Sequence, residues 1–215
     1  MRNLHLLQSG LSQLKLSLSQ ADQEKLITFL HFLKKWNKAY NLTAITDMEQ
    51  MIAYHLLDSL SIAPYVTGEH VVDVGSGAGL PGIPLAIFYP QKKFVLIDSV
   101  GKKTRFINQA ARHLDLNNVT GVHTRALEYP TPQAFDTMTA RAVGSMAYLL
   151  PIAQHLLRPS GELLVMKSEL SSEERSQLDS DARVISLKVP GISTERSLVY
   201  INFYTRIETW QKSSP

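Results

Sequence analysis

Val71-Val72-Asp73-Val74-Gly75-Ser76-Gly77-Ala78-Gly79-Leu80-Pro81-Gly82 joins a β-branched run to a glycine-rich turn, and the apolar stretch 83–88 follows it. Valines favour a strand, glycines permit a tight turn with positive φ, and the stretch 83–88 can open a helix. Strand, glycine turn, helix is how an open α/β sheet brings backbone close to a nucleotide-like ligand. Spacing narrows the choice of ligand. A dinucleotide fingerprint reads G-x-G-x-x-G, whereas these glycines run G-x-G-x-G and the third fingerprint position holds Leu80. An adenosyl ligand without a pyrophosphate fits this turn better than a nicotinamide dinucleotide.

Working outward, short apolar strands are expected at His70–Asp73, Phe94–Asp98, Val119–His123, Thr137–Arg141 and Leu163–Lys167. Helices are expected over Ile83–Phe88, Lys102–Leu114 and Ser145–Leu157. This alternation predicts a parallel sheet covered on both faces. Two late strands, Arg183–Val189 and Leu198–Tyr204, have only Pro190-Gly191-Ile192-Ser193 and its neighbours between them, so they should pair antiparallel. A mostly parallel sheet ending in an antiparallel pair suggests a methyltransferase core. Upstream the chain reads as helical. Leu26, Leu30, Leu33, Trp36 and Tyr40 line one helix face, and Thr46-Asp47-Met48-Glu49 resembles a capping box opening another helix. Pro64 and Gly68 punctuate the chain, so residues 1–66 are expected to form a helical extension and 67–215 the core.

Bulk properties exclude several classes. The chain has 215 residues, 44% of them hydrophobic, enough for a packed α/β domain. No apolar run approaches the roughly 20 residues that span a bilayer, and the start of the chain lacks a signal-peptide core. A cytoplasmic protein is the expectation. Zero cysteines remove disulfides, thiolate metal sites and a cysteine nucleophile, and with it RNA cytosine C5-methylation by a covalent route. Seven histidines show no metal-like spacing, so no metal is expected. Net charge is +3, but Lys92, Lys93, Lys102, Lys103, Arg105 and Arg112 crowd one stretch that contains the single acid Asp98. That stretch is either a solvated helix face or a basic field for RNA phosphates.

Several residues could carry chemistry. Asp73, before the turn, could hold an amino-acid ammonium directly or through water, while Gly75, Gly77 and Gly79 let backbone approach the ligand. Asp98 ends the next strand about 20 residues on, where an acid accepts ribose hydroxyls. Taken alone it would be a helix cap. Arg125-Ala126-Leu127-Glu128 follows the third strand, where it either passes the adenine ring or forms a surface ion pair. Thr139-Ala140-Arg141-Ala142-Val143 closes the fourth strand, where strand order should reverse. The Asn/Asp-Pro-Pro-aromatic tetrad used on exocyclic amines is missing there, which disfavours such substrates. Arg141 suits a guanine edge, a phosphate or the cofactor carboxylate. His55 and Asp58 are read as a satisfied buried pair, and Asn41 as a turn residue.

Together these strings resemble the RsmG (GidB) family of bacterial 16S rRNA guanine-N7 methyltransferases. The resemblance rests on Trp36-Asn37-Lys38-Ala39-Tyr40-Asn41-Leu42-Thr43, His55-Leu56-Leu57-Asp58-Ser59, the glycine string through Leu85, Leu96-Ile97-Asp98-Ser99 with Lys102 and Lys103, Arg125, and Arg141-Ala142. It spans nearly the whole chain. It implies a Rossmann-like class I fold, a seven-stranded, mostly parallel sheet with one antiparallel strand, and S-adenosylmethionine as cofactor. Family contacts to that cofactor fall on Gly75, Leu80, Ala126, Leu127 and Arg141. The implied substrate is a guanine of 16S rRNA, met in the small ribosomal subunit or an assembly intermediate by a monomer that binds neither DNA nor membrane. On this reading Arg141 and Arg125 position guanine or phosphate, and Lys102, Lys103 and Lys167 grip RNA. The family's Lys-Gly after strand five is Lys167-Ser168 here. A methyltransferase of small molecules or proteins, and a non-catalytic ribosome-assembly factor, are the rival readings.

Overall fold

The computed structural model describes residues 2–168, 170, 174, 175, 178 and 182–203. Seven strands form one sheet: β1 (His70–Val74), β2 (Lys93–Asp98), β3 (Val119–His123), β4 (Phe135–Arg141), β5 (Leu157–Lys167), β6 (Ala182–Ser186) and β7 (Ser197–Asn202). Their order is β3-β2-β1-β4-β5-β7-β6. Neighbours from β3 to β5 are parallel, and β7 runs antiparallel to both β5 and β6. The expected single antiparallel strand is therefore β7, inserted between the other two late strands.

Side-chain alternation divides the core into two layers. Val71, Leu96, Leu164 and Met166 face one cluster, and Val72, Val74, Leu163 and Val165 face the other. The first cluster is roofed by α1 (Arg2–Gln13), α2 (Gln20–Tyr40), α5 (Gly82–Phe88) and α6 (Gly101–His113), the second by α7 (Met146–Leu156). Leu26, Phe29, Leu30 and Leu33 of α2 are fully buried in the first cluster beside Phe106 and Ile83. Each such side chain contributes about 1.5–3 kcal/mol of transfer free energy. The extension 1–66 thus differs from the rest in element type but shares the sheet's core.

Helix ends follow local chemistry. Ser19 accepts from the Asp22 amide at 3.1 Å to start α2. Asn41 stops it in the left-handed region (φ 50°), the turn role expected of it. Asp47 caps α3 (Met48–Met51) by accepting from the Gln50 amide. Beyond α3 the chain winds as a π-helix over Ile52–Leu57, with the Asp58 amide reaching back five residues to the Ala53 carbonyl, before α4 (Asp58–Leu60).

Strand limits differ from expectation most in β4, β5 and β6. β4 starts at Phe135, and β5 starts at Leu157, directly after α7, because Leu157 pairs with Phe135 before a bulge precedes the Thr137–Glu162 pairing. β6 ends at Ser186, since its ladder with β7 stops there. β7 ends at Asn202, short of the end expected at Tyr204, a residue that lies outside the described ones.

Candidate active site

The carboxyl ends of β1, β2 and β4 converge where strand order reverses between β1 and β4, the crevice in which open α/β sheets bind ligands. After β1 the amides of Gly75 and Ser76 both donate to the Ile97 carbonyl, at 2.8 and 3.1 Å, pinning the turn to β2. Gly75 and Gly77 have φ of 67° and 57°. A Cβ on Gly75 would lie 2.4 Å from Val143 of the loop after β4, whereas one on Gly77 would meet nothing nearer than 3.8 Å. Gly77 is therefore the glycine with an open side, and the place for a ligand to approach backbone.

Asp98 joins the turn to the helix beyond it. Its Oδ2 accepts from the Gly77 amide and its Oδ1 from the Val100 amide, each at 2.9 Å. It steadies the start of α6, and its carboxyl, 4% exposed, lies against the open glycine. Asp73 is placed differently. It is fully buried, accepting from the Thr139 hydroxyl at 3.0 Å and the Gly82 amide at 3.2 Å. Burial pushes its carboxyl up to about 6 against the hydrogen bonds from Thr139, Ser76 and Gly82. Direct contact with a ligand ammonium needs an exposed oxygen, and Asp73 offers none. It shapes the turn from beneath.

After β3 a single 3₁₀ turn holds Ala126–Glu128. Ala126 is buried, while Leu127 and Glu128 are exposed, Leu127 at 54%. The Arg125–Glu128 ion pair entertained from sequence does not form among the described residues. Leu80 sits in the core with 5% exposure, so only its backbone can serve a ligand.

Arg141 ends β4, but its guanidinium turns toward the N-terminal segment. Its Nη1 donates to the Tyr54 carbonyl at 2.9 Å and to Asp58 Oδ2 at 3.0 Å. Arg196, in the connection before β7, donates from Nε to Asp58 Oδ1 at 3.2 Å and lies 5.6 Å from the centre of the Tyr54 ring. One buried carboxylate thus holds two arginines from remote parts of the chain. These residues line a cavity of about 300 Å³ together with Ile45, His55, Ala142, Met166, Lys167 and Ser168. Ala142 sits at φ 55°, a conformation that a non-glycine residue adopts at a cost and that occurs preferentially at functional sites.

One expectation needs correction. His55 and Asp58 are not paired: His55 Nε2 bonds the Thr43 hydroxyl at 2.9 Å, because the π-helical winding separates the two side chains. Burial, and then the charge of Arg141, lowers His55 to about 4, so it is neutral. Lys103 reaches back to Asp98 at 3.5 Å and keeps about a third of its side chain exposed. Lys167 is likewise engaged, donating to the Gly144 carbonyl at 3.1 Å and to Glu174 at 2.8 Å. Lys102 and Arg125 are exposed as expected. Arg196 was invisible to sequence reading, since nothing in Glu195-Arg196-Ser197 marks it before β7 is threaded into the sheet.

Comparison with known proteins places this geometry in a family. The model for GidB, rRNA small subunit methyltransferase G, matches residues 22–199. The chain belongs to this family. Proteins named ribosomal RNA small subunit methyltransferase G from Coxiella burnetii and Legionella pneumophila are 49% and 45% identical to it. Those alignments cover 91% and 92% of this chain and 96% and 93% of the relatives. Among solved structures, a SAM-dependent methyltransferase from Aquifex aeolicus superposes with a TM-score of 0.54 at 18% identity, over 81% of this chain and 98% of that one. TYW2 from M. jannaschii in complex with AdoMet gives 0.55 at 16% identity, over 68% and 74%. These two likenesses concern the fold.

Proposed function

We propose that this protein transfers a methyl group from S-adenosylmethionine to N7 of a guanine in 16S rRNA, acting as a cytoplasmic monomer on the small subunit or an assembly intermediate. The observation that carries the reading is the adjacency of two half-sites in a GidB family chain. One is the open Gly77 turn tied to Asp98, and the other is the arginine pair held by Asp58.

When bound, S-adenosylmethionine supplies an electrophilic methyl on a sulfonium. The residues fit that cofactor: Gly77 gives close backbone approach within a turn shaped by Gly75 and Gly79, Asp98 has lone pairs beyond its two amide bonds, and Leu127 with Ala126 and Glu128 offers a wall for the base. Guanine N7 has an in-plane lone pair and needs no deprotonation, so the chain needs no general base. His55, neutral and bonded to Thr43, is consistent with that economy. What the chain must do is hold N7 in line. Arg141 and Arg196 keep unused N–H donors toward the cavity, suited to guanine O6 or a flanking phosphate, and Arg125 suits a neighbouring phosphate. N7 lies in the narrow major groove of A-form RNA, so the target must be unpaired or splayed out to enter.

The test is incubation with labelled S-adenosylmethionine and, separately, naked 16S rRNA, assembly intermediates and mature subunits, with N7-specific cleavage to map product. A single cleavable guanine in one of these substrates is expected. Cofactor binding with no product on any would favour an assembly factor, and product only on small molecules or proteins would favour the other rival. Replacing Arg141 by Ala should lower turnover on RNA at least tenfold, and full N7-methylation with normal cofactor affinity would remove it from this role.

A further inference from the structure

The second half of α2, residues 31–40, and all of α6 contain no acidic residue. Lys34, Lys35 and Lys38 on α2, and Lys102, Arg105 and Arg112 on α6, are exposed. None of these six side chains has an ion-pair or hydrogen-bond partner among the described residues. The two helices lie side by side and antiparallel. Phe32 meets both His113 and Phe106, with ring centres 4.6 and 5.8 Å apart, and Phe29 and Trp36 also approach Phe106, while nearer the start of α2 Asp22 and Lys25 line a cavity with Asp115 and Leu116 just past the end of α6. Moving forward along α2 is thus moving backward along α6. Both helices turn their apolar faces into the same cluster, Leu26, Phe29, Leu30 and Leu33 from one, Phe106, Ile107 and Ala110 from the other. In an antiparallel pair seated on one core, the faces opposite the core point to the same side. Lys102, Arg105 and Arg112 fall on one stripe of α6 by helical spacing, as do Lys34 or Lys35 and Lys38 on α2.

The track has a direction. The C-terminal end of α2 leads to Thr43, which touches His55 at the cavity, and the N-terminal end of α6 follows Asp98. Lys38 and Lys102 therefore mark the end beside the active site, and Arg112 lies about 15 Å further along. Uncompensated cations at this density, aligned and rigidly mounted, complement a row of phosphates.

We propose that the exposed faces of α2 and α6 form one docking track for the RNA backbone flanking the target guanine, leading it to the cavity. This rests on the rRNA methyltransferase reading given above and names the surface that holds the substrate there. It adds Lys34, Lys35 and Lys38 of the N-terminal segment to the basic residues expected to meet RNA.

The experiment measures binding of a 16S rRNA fragment as a function of salt for wild type, a Lys34→Gln/Lys35→Gln/Lys38→Gln variant, an Arg105→Gln/Arg112→Gln variant, and a control carrying Arg183→Gln/Lys188→Gln at the β6 end of the molecule. Each phosphate contact contributes about 0.7–0.9 to the slope of log affinity against log salt. The triple variant should flatten that slope by roughly 2–3 and the double by roughly 1.5–2, with S-adenosylmethionine affinity and turnover at saturating RNA unchanged. The control should match wild type. An unchanged slope in the triple variant, or an equal loss in the control, overturns the track. If slopes shift as expected but wild type methylates no RNA, the methyltransferase reading fails while the track stands. Affinity for an acidic polypeptide that exceeds that for the RNA and falls in the same variants would reassign the surface to a protein partner.

Discussion

Asp73 and His55 are buried ionisable groups whose effects on stability oppose each other. Asp73 is raised from 3.8 to about 6 by burial. Between those values the folded protein keeps a proton that the unfolded chain releases, so stability falls as pH rises across the window. His55 is lowered from 6.5 to about 4, first by burial and then by Arg141. There the unfolded chain binds a proton that the folded one refuses, so stability is lost as pH falls through the window. Each displacement corresponds to about 3 kcal/mol, and the two nearly cancel. Asp73→Asn is expected to unmask stability that rises with pH from 4 to 6, and His55→Gln stability that falls over the same range. Urea midpoints across pH 4–7 check both, and curves parallel to wild type would refute the pairing. The glycine turn gives a second prediction at this scale. Gly77→Ala should cost about 1–2 kcal/mol for the left-handed backbone and sharply weaken cofactor binding. Gly75→Ala adds the clash with Val143, so thermal melting should show it as the less stable of the two. Asp58→Asn should leave cofactor affinity intact and raise KM for RNA, because both arginines lose the charge that holds them.

At the scale of elements, Asn37 secures the turn after α2. Its Oδ1 accepts from the amides of Leu42 and Thr43 at 2.6 and 2.9 Å, and its Nδ2 donates to the Thr43 carbonyl at 2.9 Å. Asn37→Ala should cost about 1–3 kcal/mol and loosen Thr43 from His55, measurable as faster hydrogen exchange over residues 42–45. Which elements were legible in the sequence follows from the physics that marks them. The five parallel strands, the glycine turn and Asp98 announce themselves through apolar runs, period and spacing, all local signals. The early start of β5 could not be read, because Leu157 becomes a strand residue only by pairing with Phe135. His55 and Asp58 were misjudged because spacing of three implies a shared face only on an α-helix, and the backbone there winds as π. The ion pairs of Lys103 with Asp98 and of Lys167 with Glu174 could not be read either, since a lysine's sequence position says nothing of the acid its long chain will find.

For the molecule as a whole, the shared core means the N-terminal helices and the sheet should unfold together. Leu30→Ala, deep in that core, is expected to cost about 2–5 kcal/mol and to destabilise the amides of β1 and α2 equally. Hydrogen exchange resolves this, and selective loss from α2 alone would show an independent extension. The position of β7 has a further consequence. It enters the sheet between β5 and β6, strands made before it, and carries Arg196 to a carboxylate set near the other end of the chain. The glycine turn is framed by β1, β2 and β4, whereas the arginine pair also needs a residue delivered by the start of β7. The two halves of the site therefore draw on distant parts of the chain, and disturbing β7 should reach the arginine pair before it reaches the glycine turn.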